Sequence, residues 1–474
     1  MPAVEGGAGM KPRIGYVGLT LELYRECMPE LIDDLDAFSR ELAARLGAFG
    51  EVLPAHAISR RTDFEGALAE FAAEDVDVLV IVLLSYSPSL IALPALLKTP
   101  VPLLIWNTQR LHAITADFGA EDMVANHGMH GVQDLCSVLR RHERPFHLVT
   151  GHYRDPDALA EIGDVIAGAA AARSLDGSRV GILGHTFDGM GDLGVEPSEL
   201  LARTGVEIRH VSSAVLADHI ANVPEGAIDA ALASDRAEFV IDPEVTDEDH
   251  RRSLRVELGL RALADEEELS AVCPLFTAAV DHPGIETLPF LAVSKMLAEG
   301  YGYGGEGDPT SAVAVMLMRA LTDDTSFVEM FTIDFAGDAV FMNHMAETNH
   351  RLAHPDIPPR LILNEAAFLP GKPPVCVFSV QRPGDVTLLN LVAGPGGRLR
   401  MIGALAEVED WGPAADVRSP HFKMKPRCPD GISAFLTRYS EAGGSHHLAL
   451  GYGDHLRSLR AAADAMDVEW IELG

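Results

Sequence analysis

The run Val76-Asp-Val-Leu-Val-Ile-Val-Leu-Leu84 limits most sharply what this chain can fold into. It is apolar at almost every position rather than at alternate ones, which reads as a strand buried on both faces. Shorter runs of the same kind recur around it: Arg13-Ile-Gly-Tyr-Val-Gly18, Glu51-Val-Leu-Pro54, Val101-Pro-Leu-Leu-Ile-Trp106 and His147-Leu-Val-Thr150. Helical periods at Met28–Leu46 and Phe64–Ala73 fall between them. Strands alternating with helices predict a parallel sheet covered on both faces, a doubly wound domain reaching about Asp176.

The pattern restarts at Arg179-Val-Gly-Ile-Leu-Gly184. Helices are expected at Pro197–Thr204, Val215–Asn222, Thr246–Asp265 and Pro309–Leu321, with strands at Val206–His210 and near Glu268–Phe276. From about Thr325 the texture changes. Phe327–Phe335, Asp338–Met345, Val375–Gln381, Val386–Ala393, Leu399–Ala406 and His446–Gly451 read as short strands between Gly/Pro turns, then a helix at Asp454–Met466 and a strand at Val468–Leu473. The expected fold class is α/β: two successive doubly wound α/β domains followed by a mainly antiparallel, barrel-like C-terminal domain. The domain expectation is 1–177, 178–323 and 324–474, with Gly177-Ser178 as the first seam.

Composition excludes several classes of partner. The net charge is −33 and no Lys/Arg-rich run occurs, which argues against nucleic acid. Five cysteines, far apart and without a CxxC, fit a reduced, cytoplasmic setting. The leader Met1–Gly9 lacks the charged and apolar regions of a signal peptide. No apolar run is long enough to span a bilayer, so no membrane partner is expected.

Four residues in the last third carry the chemistry. Glu306 sits in Gly302-Tyr-Gly-Gly-Glu-Gly-Asp308, just before Asp308-Pro309, a good N-cap and first-turn proline. The glycines either build a ligand site or make a tight turn in which Glu306 complements the helix dipole. The stretch is a poor phosphate loop, because no GK[ST] follows and an anionic side chain repels phosphate. Period-two alternation puts Glu329 on one face with Phe327, Phe331, Ile333 and Phe335, as the only charge there. It is either an edge glutamate that bends into solvent or a carboxylate held dry for a metal or a proton. His344 shares a face with Val340 and Met342, as a satisfied core histidine or a ligand. His446 and His447 are neighbours on an expected strand, so only one of them should reach a given site. Two carboxylates and two imidazoles suit a divalent metal such as Mn²⁺.

In order along the chain, Gly300-Tyr-Gly-Tyr-Gly-Gly-Glu-Gly-Asp308, Thr325-Ser-Phe-Val-Glu-Met-Phe-Thr-Ile-Asp-Phe335, Asn343-His-Met-Ala-Glu347 and Gly443-Gly-Ser-His-His447 resemble L-arabinose isomerase. Upstream, Leu84-Ser-Tyr-Ser-Pro-Ser89, Pro102-Leu-Leu-Ile-Trp-Asn-Thr-Gln109, Asn126-His-Gly-Met-His-Gly131 and Val149-Thr-Gly-His152 are also similar to that family. The resemblance implies an aldose–ketose isomerase that uses Mn²⁺ or another divalent ion such as Co²⁺ or Mg²⁺. It implies metal ligands at Glu306, Glu329, His344 and His447, with Glu306 and Glu329 doubling as the acid/base pair. It also implies a homohexamer with its site between subunits, a small sugar as substrate, and sugar-facing residues at His130, Phe276 and Tyr24, His130 coming from a neighbouring subunit.

The chain departs from the family where Gly18-Leu-Thr-Leu-Glu-Leu-Tyr-Arg25 replaces a stretch with a sugar-contacting glutamine. The segment Phe187-Asp-Gly-Met-Gly-Asp-Leu193 leans toward a broader fucose/arabinose isomerase grouping. L-arabinose is therefore not fixed as the substrate. Two other readings stay open: a sugar-binding protein without catalysis, and a metal-dependent epimerase or hydrolase on the same scaffold.

Overall fold

The computed structural model describes residues 11–366 and 369–474; the leader Met1–Gly9 lies outside them. The chain divides into two compact units. One runs up to Arg173 and includes Arg457–Asp467; the other holds Ser174–Leu456 and Val468–Gly474.

In the first unit, β1 (Arg13–Leu19), β2 (Glu51–Ile58), β3 (Val78–Leu83), β4 (Leu103–Asn107) and β5 (His147–Thr150) form one parallel sheet in the order β2-β1-β3-β4-β5. This is a doubly wound order, with helices on both faces. The apolar run Val76–Leu84 shows why. On β3, Val78, Val80 and Val82 join one buried cluster while Leu79, Ile81 and Leu83 join the other. A strand that feeds two cores has no polar face to alternate. Ala461, from the helix Leu456–Ala465, joins the first of these clusters. That helix crosses the helix Pro156–Arg173 closely, since a Cβ at Gly168 would lie 2.0 Å from the Ser458 carbonyl oxygen.

The second unit begins with β6 (Arg179–Leu183) and β7 (Glu207–Val211), and continues through β8 (Val240–Ile241), β9 (Ala271–Pro274) and β10 (Gly302–Tyr303). β10-β9-β6-β7 make a second parallel sheet. The barrel follows: β11 (Thr325–Asp334), β12 (Ala339–Asn343), β13 (Arg360–Leu363), β14 (Val375–Phe378), β15 (Gly384–Ala393), β16 (Leu399–Val408), β17 (His421–Pro426), β18 (His447–Tyr452) and β19 (Glu469–Leu473). The order β15-β18-β11-β12-β17-β16 closes on itself through a β15–β16 pairing, so six antiparallel strands form a closed barrel, and β19 adds to β16 in parallel. β13 and β14 leave the barrel and pair with β8 as a small separate sheet. The α/β order ending in an antiparallel barrel is the expected fold class.

Three local expectations need correction. No strand was expected between Ala406 and His446, yet His421, Lys423 and Lys425 belong to β17, which completes the barrel against β12 and β16. The face shared by Glu329 and the phenylalanines is dry only at its inner end. The β11–β12 register shifts between Met330 and Thr332, and Phe331, Ile333 and Phe335 are exposed while Phe327 is buried. His344 lies just past the end of β12, where it no longer follows strand alternation.

Candidate active site

Glu306 owes its position to a strained turn. It adopts φ +57°, a left-handed conformation unusual for a residue with a side chain, beside Gly307 at φ +73°. The turn is held from outside. Its Glu306 carbonyl accepts a hydrogen bond from the Phe187 amide at 3.0 Å, and its Gly307 carbonyl accepts one from the Thr186 hydroxyl at 2.8 Å. Asp308 then caps the helix Pro309–Leu321 as expected: one carboxylate oxygen accepts from the amides of Thr310 (2.9 Å) and Ser311 (3.1 Å).

The other Asp308 oxygen does something the sequence did not disclose. It accepts from Nδ1 of His447 at 3.1 Å, with both side chains fully buried. Nε2 of His447 is thereby turned toward Glu306, 3.2 Å from Oε2, yet it makes no hydrogen bond with good geometry. His447 lies directly across the ladder from Glu329, so these two side chains share a face of the barrel wall. Leu448 and Leu450 point the other way, into the barrel's apolar cluster.

His344 is held in the same manner. Its Nδ1 bonds Glu347, three residues on, and Glu347 also accepts from the Tyr303 hydroxyl at 2.5 Å and the Ala346 amide at 2.9 Å. Its Nε2 lies against Gly305; a Cβ there would stand 3.0 Å from it and 3.4 Å from the His447 ring. Glycine at 305 is what gives His344 room to reach the turn. Phe327 meets the His344 and His447 rings edge-on at 4.9 and 4.8 Å, which fixes their planes.

The two glutamates are pushed apart electrostatically. Burial works against the Glu306 carboxylate, but the imidazoles of His446 and His447 close beside it and the charge of His344 outweigh this and hold its pKa well below the usual range. Burial dominates at Glu329 and raises its pKa, against the opposing pull of the same histidines. Burial lowers the pKa of His344 and His447, yet Glu347 in one case and Asp308 with Glu306 in the other reverse the direction. Two carboxylates with opposite tendencies, side by side, are the usual makings of an acid/base pair.

Glu306, Glu329, His344 and Glu347 line a cavity of about 360 Å³. Its remaining lining is largely apolar, with Phe276, Phe290, Phe331 and Leu369 among it, so a few charged groups face an apolar wall. Phe276 thus sits in the cavity wall, stacked on Phe187 at 5.6 Å. His130 and Tyr24 belong to the other unit. There His130 is exposed and bonds His127 at 2.5 Å, and Tyr24 packs half-buried on the β1–β5 core. His421 and Lys423 are spent elsewhere: His421 bonds the Ser419 carbonyl and the Ala414 amide, and Lys423 pairs with Asp334 and Glu409.

The expectation that only one of His446 and His447 reaches the site is overturned. β18 begins at His447, so His446 is not yet bound to strand alternation, and its Nε2 lies 3.8 Å from Glu306 Oε2. One donor atom each from Glu306, His446 and His447 lies within 4.8 Å of the others. Oxygen and imidazole donors, an orphaned buried nitrogen, and ring nitrogens fixed by carboxylates fit a divalent cation. Glu347 and Asp192 were missed in the sequence, although the His344-Met-Ala-Glu347 spacing was a legible signal for the first.

Comparison with known proteins identifies the family. Residues 197–324 match the L-arabinose isomerase central domain and residues 324–469 its C-terminal domain. The chain belongs to the L-arabinose isomerase family. Relatives named L-arabinose isomerase include one from Nocardioides sp., 28% identical over 443 residues that cover 89% of this chain and 86% of that protein. Another, from Acidothermus cellulolyticus, is 26% identical over 85% of this chain and 82% of its own length. One from Escherichia coli is 24% identical, covering 82% and 79%. The matched domains of this isomerase family contain all four residues around which the site is built.

Proposed function

We propose that this protein interconverts an open-chain aldose and its ketose, with a divalent cation held by Glu306, Glu329, His344 and His447. The observation that carries the reading is that Glu306 and Glu329 line one cavity with opposed proton affinities, beside imidazoles whose Nδ1 atoms are held by carboxylates. When bound, Mn²⁺ or a similar ion supplies Lewis-acid polarisation of the two sugar oxygens nearest the reacting carbons.

The chain's own groups move the protons. Glu306, anionic, takes the proton from C2 of the aldose. Glu329, the more readily protonated, gives its proton to O1, and an enediol results. Glu329 then recovers a proton from the hydroxyl on C2, and Glu306 returns its proton to C1. The aldehyde carbon ends as a CH₂OH and C2 as a carbonyl, with no net gain or loss of protons. Phe276 and the other apolar residues exclude water from the path. A cytoplasmic setting, and a homohexamer that brings a neighbour's His130 to the sugar, complete the reading.

The test is a panel of pentoses, hexoses and 6-deoxy sugars with Mn²⁺, read by ketose formation and run alongside Glu306→Gln. At least one sugar should turn over in the native protein, with activity lost in the variant. Full activity in metal-stripped Glu306→Gln protein would overturn the mechanism; inactivity of the native protein on every sugar would favour an epimerase or hydrolase on this scaffold.

A further inference from the structure

We propose that His446, oriented by Asp192, is a further cation-binding residue, a third imidazole beside His344 and His447. The inference rests on the reading of this centre as a divalent-cation site.

Nδ1 of His446 lies 2.6 Å from Oδ2 of Asp192, a residue 254 positions away in sequence. With Nδ1–H donated to that carboxylate, the lone pair of the neutral ring is on Nε2, and Nε2 faces Glu306 at 3.8 Å. His447 repeats the arrangement, with Asp308 on Nδ1 and Nε2 on the same Glu306 oxygen. The two rings stand 4.2 Å apart. His344 and Glu347 make a third copy. A carboxylate behind each imidazole is how proteins set the tautomer and raise the basicity of a metal-binding histidine.

Distance permits the role. Two donors on one ion with bonds of about 2.0–2.2 Å stand at most about 4.4 Å apart. The Glu306, His446 and His447 donors lie within 4.8 Å of one another, so closure needs shifts of only a few tenths of an ångström.

The support for Asp192 is shared with Glu306. Asp192 lies in the short turn Gly191–Leu193, pinned by fully buried Leu193. The same connection contributes Thr186 and Phe187, which clamp the Glu306 turn through its carbonyls. One loop therefore places a carboxylate ligand by its backbone and an imidazole by its side chain. A solvent-exposed ion pair is the competing account of Asp192–His446, and such a pair contributes little to either folding or binding. A third nitrogen also tilts the site toward Mn²⁺ and Co²⁺ and away from Mg²⁺, which favours oxygen.

The experiment is titration of the metal-stripped full chain with Mn²⁺, following free Mn²⁺ by electron paramagnetic resonance. Native protein is compared with Asp192→Asn, His446→Gln and the reference variant Glu329→Gln. Expected is Mn²⁺ affinity about 10–100-fold weaker in both Asp192→Asn and His446→Gln, with a larger loss for Co²⁺ than for Mg²⁺. Pulsed resonance on the loaded native protein should count three imidazole nitrogens, falling to two in His446→Gln; two in the native protein would overturn the inference even if a variant fails to fold. Affinities within twofold of native in both variants would also overturn it. If Glu329→Gln loses Mn²⁺ while His446→Gln does not, only this inference falls. If the native protein binds no Mn²⁺, the reading of the centre falls with it.

Discussion

Two buried charge clusters lie in the larger unit, and they differ in how completely they are satisfied. In the first, Asp235 bonds His250 at 2.8 Å and Lys295 at 2.7 Å. Lys295 also bonds Glu257 at 2.8 Å, Glu257 bonds Arg261 at 3.0 Å, and Arg261 grips Glu299 with two bonds. Acids and bases alternate along this chain, and among these residues no buried side-chain nitrogen or oxygen lacks a partner. The second cluster, around Glu306, is just as buried at His447 but leaves Nε2 of that ring unbonded. A closed network holds helices together. An open one, with an unbonded ring nitrogen beside a cavity-lining carboxylate, is prepared for something else to bind.

Substitutions should separate the two on different readouts. The largest expected effect is on chemistry: Glu329→Gln should lower turnover about 10²–10⁴-fold. Gln resembles the protonated form that burial already favours at Glu329, so its unfolding midpoint in urea should stay close to native. Turnover within tenfold of native would remove Glu329 from the acid/base pair. Next comes Lys295→Met, which takes the shared cation from Asp235 and Glu257, leaving them His250 and Arg261, and should cost about 3–5 kcal/mol in unfolding free energy. Turnover per folded molecule should be unchanged; a large fall in turnover at unchanged stability would erase the distinction between the clusters.

The smallest effect is a pH dependence. Burial pushes the pKa of Asp235 up, but its bond to His250 and the charge of Lys295 pull it below the ordinary 3.8. A carboxylate with a lowered folded pKa contributes stability above its unfolded value, and that contribution is lost as pH falls through the folded one. The stability gap between native protein and Asp235→Asn should therefore be constant from pH 7 to about 5 and narrow below about pH 4. A gap that holds or widens at pH 3, measured by urea unfolding, would contradict the sign.

Much of this was legible in the sequence, for identifiable reasons. The central strands of the parallel sheets, β3 above all, announced themselves because burial on two faces demands continuous apolar runs; the two-residue β10 did not. Asp308-Pro309 marked the start of its helix because capping chemistry is local. The four candidate ligands, Glu306, Glu329, His344 and His447, stood out as polar groups among apolar or glycine-rich neighbours. What stayed hidden depended on contacts distant in sequence. β17, His421-Phe-Lys-Met-Lys-Pro426, reads as a charged segment because its lysines face outward, with Lys423 paired to Asp334 and Glu409. His446 was set aside on strand alternation, a rule that holds only inside a strand. Asp192 had no signal at all until the fold brought it to His446. The saturation of the Lys295 network was equally invisible, since its members are spread over residues 235–299.

The helix Leu456–Ala465 has a consequence for how the protein is made. The cluster on one face of the first sheet includes Ala461, which follows Arg173 by nearly three hundred residues. At about 5–20 residues per second, roughly a quarter of a minute to a minute of translation separates the two. The unit around the first sheet is thus completed by residues translated long after its strands, and the continuous segment ending at Arg173 is not a self-contained piece of this protein.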